Sequence, residues 1–218
     1  MIPVPLALLG LAAAAAWFSR SSSSSSASPK AAGDEPDSDH AEPDVLPSEP
    51  FTGTTSMSLT PHFTLSEFLV SGSHPELAST LKPNADQVAR LAYVAAALEQ
   101  ARTHIGNKPI HITSGFRSPE LNKAIAGSAK DSQHMAGEAV DTAPPAGFNS
   151  LTWADALHEA LGGHYDQLIA YAPNAAGHQW VHISVTSRQQ RRERLYKVGS
   201  KYLTGDEGRS ALWASIPK

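Results

Sequence analysis

Hydrophobic positions fall into three regimes along this chain. Ile2 to Phe18 is an unbroken apolar run rich in Ala and Leu. At about 17 residues it sits at the short edge of a membrane span, for which roughly 20 are typical. Small residues suited to signal cleavage lie within Ala12 to Ala16, but no basic side chain precedes the run. A cleaved secretory signal, an uncleaved anchor and a weak, detachable anchor all fit that pattern. The following stretch, residues 19–58, has almost no apolar content. It holds Arg20, an unbroken serine run from Ser21 to Ser26, and a mixture of prolines and acids from Pro29 to Pro50. A segment of that kind buries too little apolar surface to offset its ordering entropy, which predicts a flexible, partly extended linker.

From Leu59 the periodicities of folded structure begin. Thr64 to Leu69 reads as a short helix, with Thr64 as cap and Glu67 at the capping-box offset. Asn84 caps a longer helix in which Val88, Leu91, Val94, Ala95 and Leu98 recur at helical spacing up to about His104. Gly106 and Asn107 end it. Pro109 to Thr113 alternates as a strand, and Pro119 to about Gly127 suits a short helix carrying Leu121 and Ile125. Trp153 to Leu161 predicts a helix closed by Gly162 and Gly163. Asp166 to Tyr171 and Trp180 to Val185 read as strands. Helices and strands mix without a βαβ rhythm, so the expected fold is α+β over residues 59–187, with a small, mainly antiparallel sheet flanked by helices.

Residues 188–218 change the charge. Arg188, Arg191, Arg192, Arg194, Lys197 and Lys201 face only Glu193 around this turn of the sequence. The expectation is a solvated, partly helical basic tail, with contact to an anionic polymer or lipid as the sharper alternative. Trp213 suggests that the tail packs back on the domain. Over the whole chain the net charge is −4 and the pI about 6.2, so bulk electrostatics give no argument for a nucleic-acid partner. Hydrophobic residues at 41% and charged residues at 17% exclude a wholly disordered chain and a multispan membrane protein. Cysteine is absent, which removes disulfides, zinc–thiolate sites and a cysteine nucleophile. A transition metal would have to be held by the ten histidines and the carboxylates.

Three stretches carry candidate chemistry: Ser114-Gly115-Phe116-Arg117, then Ser132 to Asp141, then Trp180-Val181-His182. His134 and Asp141 are too far apart for one helix face, but a loop turning at Gly137 into a strand from Ala139 to Asp141 brings both to one point. On that strand Ala139 and Asp141 share a face. On the later strand His182 shares a face with Trp180 and Ser184, while Val181, Ile183 and Val185 point to a core. Two imidazoles and one carboxylate leave an open position, as in a catalytic rather than a structural zinc site. Glu138 should face away from Asp141 and lie at the surface. His111 reads as half-exposed and structural. The remaining histidines have no supporting neighbours.

These stretches resemble the zinc D-Ala-D-Ala carboxypeptidase and endopeptidase family of peptidoglycan hydrolases, which shares its fold with hedgehog signalling domains. The family pattern is a serine-glycine-aromatic-arginine turn, then S-x-H-x-x-G-x-A-x-D, then a late W-x-H or H-x-H strand. The resemblance spans about Phe63 to Val185. It implies one zinc ion held by His134, Asp141 and His182, with Arg117 holding a substrate carboxylate and Ser132 beside the first ligand. For Arg117 a structural salt bridge is the alternative. Several relatives place a glutamate three residues before the last histidine; here that position is Gln179, which cannot take a proton. A family strand that often ends in glutamate ends here in Tyr171. Other relatives use a histidine just upstream, which makes His178 the candidate general base.

The expected function is therefore a zinc-dependent peptidase hydrolysing amide bonds in peptidoglycan stem or cross-link peptides, as a carboxypeptidase or an endolysin-like endopeptidase. The missing glutamate keeps a second reading alive, a non-catalytic wall- or protein-binding module on the same fold. A virion or membrane structural protein carrying this domain is a third. The expected partners are a peptidoglycan peptide and, through residues 1–18, a membrane. The expected setting is a bacterial or bacteriophage protein, anchored or secreted and facing the wall. Arg20 follows the apolar run and nothing basic precedes it except the amino terminus, so the positive-inside rule leaves the side of the membrane open, with a cytoplasmic placement of the domain as one alternative.

Overall fold

A computed structural model describes residues 57–217, so the apolar run Ile2–Phe18 and all but the last two residues of the expected linker lie outside the described residues. Strands β1 (Ser58–Thr60) and β2 (Phe63–Thr64) form a small antiparallel pair that leads into a 3-10 turn at Leu65–Phe68. Glu67 accepts from the Thr64 backbone N–H at 2.7 Å, the capping-box contact expected from the sequence. After α1 (Pro75–Ala78) comes α2 (Ala85–His104), whose Asn84 cap accepts from the Gln87 N–H at 2.9 Å. The predicted stripe Val88, Leu91, Val94, Ala95 and Leu98 is buried in the core.

Strand β3 (His111–Ser114) precedes α3 (Pro119–Ala124), which stops short of the expected Gly127. A single turn, α4 (Gln133–Ala136), occupies what the sequence suggested was loop, and it ends at Gly137 with φ 75°. Strand β4 (Ala139–Ala143) follows, then α5 (Ser150–Leu161), capped by Asn149 and closed by Gly162 in the left-handed region. Strands β5 (Gln167–Tyr171), β6 (Val181–Ser184), β7 (Glu193–Val198) and β8 (Lys201–Leu203) and helix α6 (Gly205–Ser215) complete the chain.

The main sheet has order β3-β4-β6-β5-β7-β8. All neighbours are antiparallel except β5 and β7, which run parallel. The fold is α+β as expected, but the sheet is a mixed one of six strands rather than a small antiparallel one. The correction comes from residues 188–218, which do not form an appended tail. Their alternation places Tyr196 in the core while Glu193, Leu195 and Lys197 share the opposite face, so two strands extend the sheet past β5. Trp213 is exposed; the residue that ties α6 down is Leu212, fully buried. The basic run is partly neutralised inside the fold, with Arg194 and Arg209 both on Asp155 of α5 and Arg191 on Asp166.

The two faces of the sheet differ. Val140, Val181, Ile183, Leu168 and Ala170 join the apolar core, together with residues of α2 and α5. Trp153 is fully buried in that core, and its indole N–H donates to Thr142 Oγ1 at 2.9 Å, so the largest core side chain leaves no unpaired donor. The other face carries Asp141, His182, Ile169 and Leu195 in one lateral row, set by the pairings Asp141 with His182, His182 with Ile169, and Ile169 with Leu195.

Candidate metal centre

The turn Ser114-Gly115-Phe116-Arg117 runs against the 3-10 turn. Phe116 N–H donates to Phe68 O at 2.7 Å and Gly115 N–H to Val70 O at 3.1 Å. A Cβ on Gly115 would sit 2.1 Å from Phe68 O, so only glycine lets the two backbones meet. The same Gly115 then presents its carbonyl to His134 Nδ1–H at 2.8 Å. That bond fixes the tautomer and leaves His134 Nε2 as the free lone pair, as a metal ligand requires.

Helix α4 is pinned from the other side. Gln87 Nε2 donates to Met135 O at 3.0 Å and Arg90 Nε to Ala136 O at 2.7 Å. Gly137 must be glycine twice over, because its φ is 75° and a Cβ there would approach Gln87 O to 2.7 Å. The spacing from His134 through Gly137 to Asp141 thus encodes a one-turn helix, a left-handed stop and entry into β4.

Three atoms converge. His134 Nε2 and His182 Nδ1 are 3.1 Å apart, His134 Nε2 and Asp141 Oδ1 3.3 Å, and His182 Nδ1 and Asp141 Oδ1 3.0 Å. Ligands 2.0–2.1 Å from a tetrahedral ion stand about 3.4 Å from one another, so this triangle has the size of one face of a zinc coordination shell. Among the described residues this is the group of histidines and acids close enough to hold a metal. His134 and His182 are buried and Asp141 half-buried. Burial lowers the His134 pKa and so favours the neutral, ligating form. Burial alone would raise Asp141, but the two imidazoles and their hydrogen bonds hold its carboxyl well below the usual range.

Arg117 joins the centre directly. Its Nη2 donates to Asp141 Oδ2 at 2.6 Å, and Nε and Nη2 reach Ser114 Oγ at 3.1 and 3.0 Å. The salt bridge entertained for Arg117 is therefore present, and it divides Asp141: Oδ2 faces the guanidinium, Oδ1 the two histidines. Nη1 makes no hydrogen bond among the described residues, and Arg117 lines the cleft in front of the triad. Ser132 precedes α4 and lines the same cleft of about 440 Å³.

Other expectations move. His178 lies on an exposed turn in which Asn174 Oδ1 accepts from the His178 N–H at 3.0 Å; its ring makes no hydrogen bond to the triad. It lines instead the rim of a wider cleft of about 810 Å³ continuous with the first through Arg117 and Asp141. Gln179 accepts from the Ser150 N–H at 2.9 Å and so serves the start of α5. Glu138 is buried rather than at the surface, paired with Arg188 at 3.0 Å. Arg188, drawn from the supposed tail, is what makes that burial tolerable.

Sequence reasoning missed part of the cleft. Tyr171 stacks on Trp180 with ring centroids 4.6 Å apart, and Leu195, Lys197 and Tyr202 line the opening from β7 and β8. The available signal was the run Leu195-Tyr196-Lys197-Val198, which is rich in strand formers once the arginines are passed. Asp131 also lines the inner cleft beside Ser132.

The profile of the family described as Peptidase M15 matches residues 61–184, more than half of the chain and a range that includes His134, Asp141 and His182. No curated protein sequence matches the chain.

Proposed function

The chain belongs to the Peptidase M15 family of zinc D-Ala-D-Ala carboxypeptidases, and from that membership we propose that it hydrolyses amide bonds in peptidoglycan stem or cross-link peptides. The observation that carries the reading is the triangle of His134 Nε2, His182 Nδ1 and Asp141 Oδ1, sized for zinc and open to a cleft. A zinc ion held there would supply Lewis acidity to the scissile carbonyl and a nucleophile from water near neutral pH.

The chain's own residues do the rest. Gly115 O keeps His134 in its ligating tautomer. Arg117 holds Asp141 with Nη2 and keeps Nη1 for a substrate carboxylate or for charge that develops on the carbonyl oxygen. Ser132 offers a hydroxyl at the cleft wall. Proton transfer falls to His178 at the rim, with Asp131 as the carboxylate competitor. The apolar run Ile2–Phe18 and the linker would hold this domain near a wall; among the described residues no helix is long and apolar enough to cross a membrane.

The test is a metal analysis joined to a digest of purified peptidoglycan. Zinc-loaded protein should release new amine groups, while chelated protein and His134→Ala should not. Identical outputs from all three would end the peptidase reading. The commitment of Gln179 to α5 favours one second reading, a wall-binding module without turnover. Peptidoglycan retention at full zinc occupancy with no amine release would select it.

A further inference from the structure

Beyond the triad row, the same sheet face carries a second row. Two residues along each strand from His182, Ile169 and Leu195 stand Trp180, Tyr171 and Lys197, since side chains alternate with period two. The pairing of Tyr171 with Lys197, and of Lys197 with Tyr202, extends that row across β5, β7 and β8. Trp180 and Tyr171 stack on each other, and Lys197 Nζ lies 3.8 Å from the centroid of the Tyr202 ring. Its Nζ also donates to Ser200 O at 3.0 Å. The ammonium is thus held in place on one side by a ring and on another by a carbonyl.

The charge balance of this outer cleft is one-sided. Its lining contributes Arg117 and Lys197 against a single carboxylate, Asp141, and Asp141 is already matched by Arg117. Lys197 forms no ion pair among the described residues. A fixed cation without a counter-charge, at the mouth of a cleft walled by aromatic rings, is a place for an anion. Both Lys197 and Tyr202 lie after residue 184, outside the part that the family profile matches.

Resting on the peptidase reading above, we propose that Lys197, held over Tyr202, selects peptide substrates that carry a carboxylate near the scissile amide. Two residues along and two strands across separate the Cα atoms of His182 and Lys197 by roughly 12 Å. That distance corresponds to at most about three to four residues of extended peptide, and the reach of the lysine shortens it. The acidic residues of a peptidoglycan stem fall in that range. A carboxylate there would accept a charge-assisted hydrogen bond from Nζ, and an amide at the same place would not reproduce it.

The test compares two stem peptides that differ only in a free carboxylate or its amide, with the zinc-loaded full chain. Wild-type protein should prefer the acid. Lys197→Met should lower kcat/KM for the acid about tenfold more than for the amide, mainly through KM. Lys197→Arg, which keeps the charge, should retain the preference. Equal losses on both peptides, or an undiminished acid preference in Lys197→Met, overturn the proposal. If wild-type protein cleaves neither peptide, the peptidase reading falls and binding decides for Lys197. Titration of tryptophan fluorescence should then show tighter binding of the acid, lost in Lys197→Met; the same affinity for both peptides in wild-type protein overturns it.

Discussion

The triad row and the row beside it share one sheet face and are built in opposite ways. His134, Asp141 and His182 are supported at every step: a backbone carbonyl behind the first, a guanidinium behind the second, and a ladder pairing between the last two. Lys197 and Tyr202 stand at the far edge, where Tyr202 is about half exposed, and the Lys197 ammonium is held by one cation–π contact and one hydrogen bond. A metal site tolerates little displacement of its ligands, and the three candidate ligands sit where glycines allow backbones to interlock. Recognition of a substrate's outer part tolerates more, so it can be assigned to edge strands that lie outside the matched family segment.

Removing the metal should have the largest effect on one row and the least on the other. His134→Ala or chelation should abolish hydrolysis, a loss of more than about a thousandfold by turnover assay. Because zinc binds only the folded site, its removal should also lower stability by about 4 kcal/mol at a zinc concentration 1,000 times the dissociation constant, seen as a lower Tm. A Tm unchanged by chelator would mean that the triangle does not hold the ion.

Gly115→Ala attacks the support of the triad without touching a ligand. The new methyl meets Phe68 O, so the 3-10 turn or the Gly115 carbonyl must shift. The expected cost is about 2–4 kcal/mol by denaturant unfolding, with weaker zinc affinity in the protein that does fold. Gly127→Ala provides the comparison, since a Cβ there meets nothing within 4 Å and only its φ of 77° opposes the change.

A smaller effect should separate the two candidate proton carriers at the cleft. His178→Ala should lower kcat by roughly tenfold to a hundredfold, with zinc content unchanged. If Asp131→Asn does this and His178→Ala does not, the proton path runs through the inner cleft.

The smallest effect concerns the base of the outer strands. Burial by itself raises the Asp166 pKa, but hydrogen bonds from Arg191 outweigh it and depress the carboxyl. A depressed folded-state pKa contributes stability above the unfolded value near 3.9, and that contribution is lost as pH falls through the folded value. Solvent around the half-exposed Arg191 limits it to at most about 1 kcal/mol. Asp166→Asn should reduce stability at pH 7 and weaken the fall in Tm below pH 4, with zinc binding retained. A mutant as stable as wild type at pH 7 would show that the Arg191 contact does not anchor the outer strands.

Much of the inner row was legible in the chain, and the reason lies in sequence proximity. The stretch from Ser132 to Asp141 encodes its own geometry through Gly137, and period-two alternation set the faces of β4 and β6. The long helix from Asn84 announced its cap and its stripe. By contrast, the sequence read His178 as a neighbour of the metal, and the backbone turn at Asn174 carries it to the rim. Glu138 looked like a surface residue because Arg188, fifty positions later, is invisible as its partner.

The sequence by itself put forward the candidate ligand set, since His, Asp and His on two short strands and a glycine-stopped turn are local choices of residue type and spacing. The absence of cysteine narrowed that set further. Only the tertiary structure decided what surrounds the ligands. The parallel pairing of β7 with β5, the place of Lys197 and Tyr202 at the cleft, and the division of Asp141 between Arg117 and two imidazoles all depend on contacts between residues far apart in the chain. Periodicity reports which face a residue takes on its own element; which elements become neighbours is settled by burial of the whole core, and no local pattern contains it.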